Sequence, residues 1–149
     1  MRVVIDTNIL IGGADDESSV AYKIIEEVIA GRLEAFATHQ TMGENRQMLR
    51  KLVRDREYRE RLEEFFRKLK IVKVYKPLHV VADEEDNKLF ESAASSGAEY
   101  LVSQDRAVLD VEEYHGTKVM SPKDFWAVYE GEKSDSSAWS NWSKMIMGS

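Results

Sequence analysis

An ionisable carboxylate interrupts the first apolar run of the chain. Residues 3–5 are expected to form a short buried strand, yet Asp6 follows them directly and the apolar pattern resumes at Ile9. Burying a lone carboxylate is costly enough that the group usually becomes neutral or finds a partner. Asp6 is therefore the first candidate for a chemical role.

Acidic residues occupy comparable places in three other segments. Asp105 stands two residues beyond a strand expected to end at 103, and Glu44 lies in the first two turns of a helix that follows another strand. The quartet at 83–86 opens the helix that precedes the strand ending at 103. In open sheets of parallel strands, ligands bind beyond the carboxyl ends of the strands. These four segments could therefore direct carboxylates at one place.

Several carboxylates at one place repel one another unless a cation is present. A set of oxygen ligands without His or Cys favours a hard divalent ion, Mg²⁺ or Mn²⁺. Each acid also has an ordinary explanation. The quartet at 83–86 could cap a helix and complement its dipole, Glu44 could be a solvated helical residue, and Asp105 could form a turn. The metal site is predicted from the set as a whole.

The elements that must position these acids alternate along the chain. Such alternation is typical of a parallel sheet covered by helices, so we expect an α/β fold, a three-layer α/β/α sandwich with a central parallel sheet. Apolar spacing, caps and stop signals locate the elements. We expect strands at 3–5, 33–37, 71–75, 99–103 and 118–120, and helices at 18–30, 38–53, 58–69, 83–96 and 121–130.

Length and composition favour one domain. The chain has 149 residues and no Cys, which excludes a disulfide framework and a thiolate metal site and is typical of a reducing compartment. No apolar run approaches the roughly 18 residues that a membrane span needs, and we expect a cytoplasmic protein with no membrane partner. Residues 1–130 are expected to form the domain. Residues 131–149 are expected to be a tail, either flexible or a short docked helix.

The net charge of −6 conceals a basic segment. Residues 46–76 contain twelve of the 21 Lys and Arg residues and only five acids. Such a segment can grip a phosphate backbone without reading sequence, although a solvated helical face rich in ion pairs is the ordinary alternative. The residues expected to contact RNA are Arg46, Arg50, Lys51 and Arg54.

Several motifs in this order carry a family resemblance. The chain resembles the PIN-domain ribonucleases from about residue 2 to 128. More narrowly, it is similar to the PIN proteins that act as toxins of prokaryotic toxin–antitoxin pairs. The motifs are VVIDTNIL at 3–10, Glu44, DEEDNKLFESAASSGAEYLVSQD at 83–105 and SPKDFW at 121–126.

The resemblance implies a PIN-like nuclease domain and a Mg²⁺- or Mn²⁺-dependent endoribonuclease. It implies that Thr7 and Asn8 orient one of the acids and that Ser103 is a small hydroxyl residue near the site. Many relatives carry a further acid where this chain has Ala107, so a second metal ion would be held weakly or not at all. The implied metal ligands, which are also the catalytic residues, are Asp6, Glu44, Asp86 and Asp105.

Partners and alternatives follow from the same resemblance. It implies an RNA substrate and an antitoxin protein, and we further expect a homodimer. An RNA-processing PIN nuclease without an antitoxin remains an alternative, as does a PIN-like module that binds RNA or a partner without cutting. An aspartyl-phosphate enzyme of the haloacid dehalogenase type is disfavoured, because Asn8 stands where that chemistry needs a second Asp.

Overall fold

A twisted sheet with one antiparallel edge strand lies at the centre of the structure. The computed structural model describes residues 1–12 and 19–132. In this part of the chain the strand order is β3-β2-β1-β4-β6-β5, and all neighbours are parallel except β5 and β6. The strands are β1 (Arg2–Ile5), β2 (Glu34–Ala37), β3 (Lys70–Ile71), β4 (Tyr100–Val102), β5 (Glu113–Tyr114) and β6 (Thr117–Met120).

Helices follow most of the strands, as the alternating pattern predicts. They are α1 (Thr7–Gly12), α2 (Val20–Ile29), α3 (His39–Leu52), α4 (Arg56–Lys68), α5 (Glu84–Ser96), α6 (Arg106–Leu109) and a helix, α7, over 122–132. No helix in the described ranges is both long and apolar enough to cross a membrane.

Short polar side chains define where the helices begin. The Thr38 side chain accepts a hydrogen bond from the backbone N–H of Thr41 at the start of α3, and Ser19 does the same for Tyr22 at the start of α2. Such caps satisfy backbone donors that have no partner inside the helix. At its other end, α5 stops at Gly97, whose φ of 65° is readily adopted only by glycine.

The core is divided by the sheet into two apolar clusters. Val3 and Val4 are both buried, yet Val3 packs into one cluster and Val4 into the other, as alternate residues of a strand should. Phe65 of α4 and Phe125 of α7 belong to the first cluster, and Phe90 of α5 belongs to the second. This arrangement confirms the predicted three-layer α/β/α architecture and explains why the first strand is apolar at successive positions.

One predicted strand was too long, and three short elements were not predicted. The strand expected at 71–75 consists only of Lys70–Ile71, because its partner β2 ends at Ala37 and the last shared hydrogen bond joins Val72 N to Ala37 O at 2.9 Å. The antiparallel edge strand β5 was not expected. The short helices α1 and α6 were also missed, and they begin directly after the two aspartates at the ends of β1 and β4.

Some predictions fall on the edges of the described residues. The helix expected from 18 begins at Val20, and residues 13–18 lie outside the described ranges. The tail was expected from 131, but α7 continues through 132. The remaining tail residues, 133–149, also lie outside the described ranges.

Candidate active site

Asp6 lies where β1 ends and α1 begins. Its backbone N–H donates to Val102 O of β4 at 2.9 Å, so the residue stays attached to the sheet after its own strand has ended. The residue is only 8% exposed. The backbone N–H of Asn8 lies 3.4 Å from Asp6 Oδ1. This carboxylate is therefore held at the carboxyl edge of the sheet.

Ser103 connects Asp6 to the segment that carries Asp105. The Ser103 hydroxyl is fully buried and donates to Asp6 Oδ2 at 2.8 Å. Ser103 Oγ also accepts a hydrogen bond from the backbone N–H of Asp105 at 3.0 Å. The Asp105 carboxylate then caps α6, since its Oδ1 accepts from Ala107 N at 2.9 Å. A single buried hydroxyl thus links the ends of β1 and β4.

Asp86 belongs to the first turn of α5. Asp83 caps this helix by accepting hydrogen bonds from the backbone N–H groups of Glu85 and Asp86, at 2.7 and 3.2 Å. Asp86 is the third helical residue, as the spacing predicts. Asp86 is half-buried, whereas the capping Asp83 is exposed. One acid of the quartet therefore holds the helix start, and another turns towards the sheet.

Burial and the charges of neighbouring aspartates raise the pKa of Asp86 and of Asp6. Burial, followed by the charges of Asp105, Asp83 and Asp6 and a hydrogen bond with Asp105, raises the pKa of Asp86 to about 6. Burial is also the main reason why the pKa of Asp6 is raised, and the charge of Asp105 adds to it. The hydrogen bonds from Ser103 and the backbone of Asn8 oppose this rise. The structure thus brings Asp6, Asp86 and Asp105 into one electrostatically coupled group.

Glu44 does not join that group in the structure. Its Oε2 lies 3.5 Å from Lys88 Nζ, and its Oε1 accepts from Gln40 Nε2 at 3.1 Å. Lys88 Nζ also donates to Glu85 at 2.9 Å. Glu44 therefore stays a predicted ligand, and in the structure it pairs with Lys88 of α5, a lysine that the sequence analysis did not single out. In the sequence, the only local indication that Lys88 forms ion pairs is its i,i+3 spacing from Glu85.

The donor set fits a hard cation in its chemistry. Asp6, Asp86 and Asp105 offer only oxygen ligands, and the charge of Asp105 adds to the effect of burial in raising the pKa of both Asp6 and Asp86. Within residues 1–12 and 19–132, however, no three His or acidic residues are grouped closely enough to hold an ion as they stand. Coordination would therefore require the carboxylates to draw together.

Residues beside the aspartates contribute through the backbone in some cases and through the side chain in others. Thr7 is buried, and its backbone lowers the pKa of Asp6, as does that of the exposed Asn8. Asn87 was part of the 83–105 motif but was given no role in the sequence analysis. It is buried, and its side chain forms hydrogen bonds with the backbone of the segment before α5. Its Oδ1 accepts from Val80 N and Val81 N at 2.8 and 2.9 Å.

The basic segment is divided by its own ion pairs. Arg46 and Arg50 of α3 both reach Glu63 of α4. Lys51 and Arg54 are exposed and form no salt bridge within the described part of the chain. Two of the four predicted RNA-contacting residues therefore share one carboxylate within the molecule.

Comparisons with known proteins agree with this architecture. A family model described as PIN domain matches residues 2–107. VapBC2 from Rickettsia felis, solved with a DNA fragment from its promoter, aligns at a TM-score of 0.53 and 12% identity, covering 80% of this chain and 97% of that one. A Pyrobaculum aerophilum protein aligns at 0.47 and 22%, covering 80% and 92%. No curated protein sequence matches this chain. At such identity the Rickettsia structure shows a shared fold alone.

Proposed function

The chain belongs to the PIN domain family, and we propose that it is a metal-dependent endoribonuclease that acts as the toxin of a toxin–antitoxin pair. The observation that carries the proposal is the coupling of Asp6, Asp86 and Asp105 at the carboxyl edge of the sheet. Nuclease activity is general in the family. RNA as the substrate, the dependence on Mg²⁺ or Mn²⁺ and the antitoxin partner are finer parts of the proposal.

The three aspartates would hold the metal ion, and Glu44 would join them on leaving Lys88. When bound, a divalent cation activates a water molecule and neutralises charge that builds up on the scissile phosphate. The protein's own task is to orient the acids. Ser103 fixes one oxygen of Asp6, and the first turn of α5 carries Asp86. Such an arrangement needs no nucleophilic side chain.

The partners are proposed with the activity. A protein antitoxin is proposed because the motifs of this chain resemble those of PIN toxins that have such a partner. The likeness to VapBC2 from Rickettsia felis adds only a shared fold. A homodimer is part of the same proposal. Lys51 and Arg54 would supply charge for the RNA backbone, because they are exposed and uncompensated in the described residues.

The test is cleavage of mixed RNAs by the full-length chain with Mn²⁺, with Mg²⁺ or with chelator. We expect cleavage only with metal ion, and we expect Asp6→Asn to abolish it. Asp110→Asn is the matched control, because Asp110 is an exposed acid that pairs with Arg106 outside the coupled group. Cleavage that persists in chelator, or in Asp6→Asn, would overturn the mechanism. Metal-dependent RNA binding without cleavage would indicate a binding module instead.

A further inference from the structure

An exposed tyrosine stands between two lysines in the segment that joins β3 to α5. We call this segment, residues 72–82, the edge loop. Tyr75 is 89% exposed, and Lys73 and Lys76 on either side of it are exposed as well. Neither lysine forms a salt bridge within the described ranges. Because Tyr75 is so exposed, its ring adds little to the core, and both of its faces are open to a ligand.

The edge loop is anchored at both ends by hydrogen bonds. At its start, Val72 N donates to Ala37 O of β2 at 2.9 Å. At its end, Asn87 accepts two backbone hydrogen bonds and donates a third to Val81 O at 2.8 Å. Pro77 further restricts the backbone between these anchors. These restraints reduce the conformational entropy that the loop would lose when a ligand binds to Tyr75.

The topology places this loop on the same edge of the sheet as the aspartates. The loop leaves the carboxyl end of β3 and ends at Asp83, which caps α5. Asp86 lies three residues further on and is coupled to the aspartates at the ends of β1 and β4. Carboxyl ends of parallel strands share one edge, so a polymer that crosses this edge can meet both the edge loop and the aspartates.

We propose that Tyr75 stacks on a base of single-stranded RNA while Lys73 and Lys76 contact the flanking phosphates. This inference rests on the proposed ribonuclease function and names the form of RNA that the same site takes. Aromatic rings with neighbouring cations bind single strands without reading sequence, because every base has a stacking face. A base paired in a duplex would not be open to Tyr75. The edge loop therefore selects unpaired RNA.

The charge distribution favours the edge loop over the helical arginines for this task. The aspartates repel a phosphate backbone, so cations are needed beside them. Arg46 and Arg50 share the single carboxylate of Glu63, whereas neither lysine of the edge loop has a salt-bridge partner in the described ranges. Each phosphate that they neutralise on a single strand should contribute about 0.7 to the slope of log affinity against log salt.

The experiment measures binding of fluorescent oligonucleotides by the full-length chain in an Asp6→Asn background, where cleavage does not interfere. One probe is a twelve-residue uridine-rich RNA, and the other has the same phosphates but no bases. Tyr75→Ala should weaken binding of the first probe by about tenfold, the effect of one lost base stack, and leave the second unchanged. Tyr75→Phe keeps the ring and should bind like the parent.

The lysines are tested separately. Replacing both Lys73 and Lys76 by Ala should weaken binding of both probes and reduce the salt slope by about 1.4. Lys118→Ala is the control, because Lys118 is exposed on β6 beside Tyr100, at the amino end of β4. Thermal melts of each variant should match the parent, since the substituted side chains are exposed.

Each outcome distinguishes this inference from the proposed function. Parental affinity in Tyr75→Ala, or equal binding of the two probes by the parent, would overturn stacking while leaving ribonuclease activity standing if the wild type still cuts RNA. If the wild type neither binds nor cuts RNA, the inference and the proposed function both fall. If the parent bound a duplex of the uridine-rich RNA as tightly as the single strand, this result would also contradict the role given to the edge loop.

Discussion

Ser103 Oγ donates to Asp6 Oδ2 at 2.8 Å, joining the ends of two neighbouring strands through a hydroxyl that solvent does not reach. The bond lowers the pKa of Asp6 against the opposing effect of burial. Since the same oxygen accepts from Asp105 N, Ser103 also fixes the backbone at the second aspartate. Ser103 thus favours the ionised form of Asp6 and positions the backbone of Asp105.

Ser103→Ala should therefore shift metal binding to higher pH. Without the hydroxyl, the pKa of Asp6 rises further, and a carboxylate must lose its proton before it binds a metal ion. The loss of the buried hydroxyl also leaves the backbone N–H of Asp105 without its acceptor, which should cost roughly 1–3 kcal/mol of stability. The measurement is Mn²⁺ affinity at several pH values, together with urea unfolding. A pH profile of Mn²⁺ binding identical to that of the wild type would contradict the role given to Ser103.

The raised pKa of Asp86 predicts a pH dependence of stability without metal. The ordinary pKa of 3.8 applies to the unfolded chain, and the folded value is about 6. Below about pH 4 both states hold the proton, so there is no penalty. As pH rises from about 4 to 6, the unfolded state releases the proton and the folded state keeps it, so the free energy of unfolding falls. Above about pH 6 this loss of stability stays constant.

Asp86→Asn should remove that loss of stability between pH 4 and 6. The measurement is urea unfolding of metal-free wild type and variant across this range, with Asp83→Asn as the control. Asn caps a helix about as well as Asp does, so the control should keep the overall stability of the wild type. If wild type and Asp86→Asn show the same pH dependence, the coupled group does not exist in solution.

The positions of Asp83 and Asp86 could be predicted from local sequence rules. The quartet at 83–86 begins a helix, and the capping preference of Asp places Asp83 before it and Asp86 in its first turn. Asp6 could be located as well, because an acid that ends a buried strand must lie at the edge of the sheet. These inferences use only neighbours along the chain, and the structure places Asp6, Asp83 and Asp86 accordingly.

Features that depend on contacts between distant segments could not be predicted. The alternation at 71–75 is typical of a strand, yet the available partner ends at Ala37 and so limits the pairing. The pairing of Glu44 with Lys88 joins α3 to α5 across 44 positions of sequence. The six residues of α1 are too few to show a helical period, so their apolar run gave no sign of a helix.

Metal binding should separate the cap from the proposed ligand. At a hundredfold excess over its dissociation constant, an ion that binds only the folded state adds about 2.7 kcal/mol. Wild type and Asp83→Asn should show this gain with Mn²⁺, whereas Asp86→Asn should show much less and should not cut RNA. The measurement is thermal melting with and without Mn²⁺. If Asp86→Asn melts like the wild type in both conditions and still cuts RNA, the quartet is only a helix start.

Lys88 should compete with the metal ion for Glu44. Its side chain is 22% exposed, and its pKa is raised by the hydrogen bond to Glu85 and by the charge of Glu44, so it remains a cation beside the site. Lys88→Met removes this cation and frees the Glu44 carboxylate, and Mn²⁺ should then raise the melting temperature at lower concentration than in the wild type. Lys88→Arg keeps the charge and should resemble the wild type. The additional substitution Glu44→Gln should cancel the gain in Lys88→Met. Weaker Mn²⁺ binding in Lys88→Met would show instead that the lysine supports the site, and unchanged binding would show that Glu44 stays outside it.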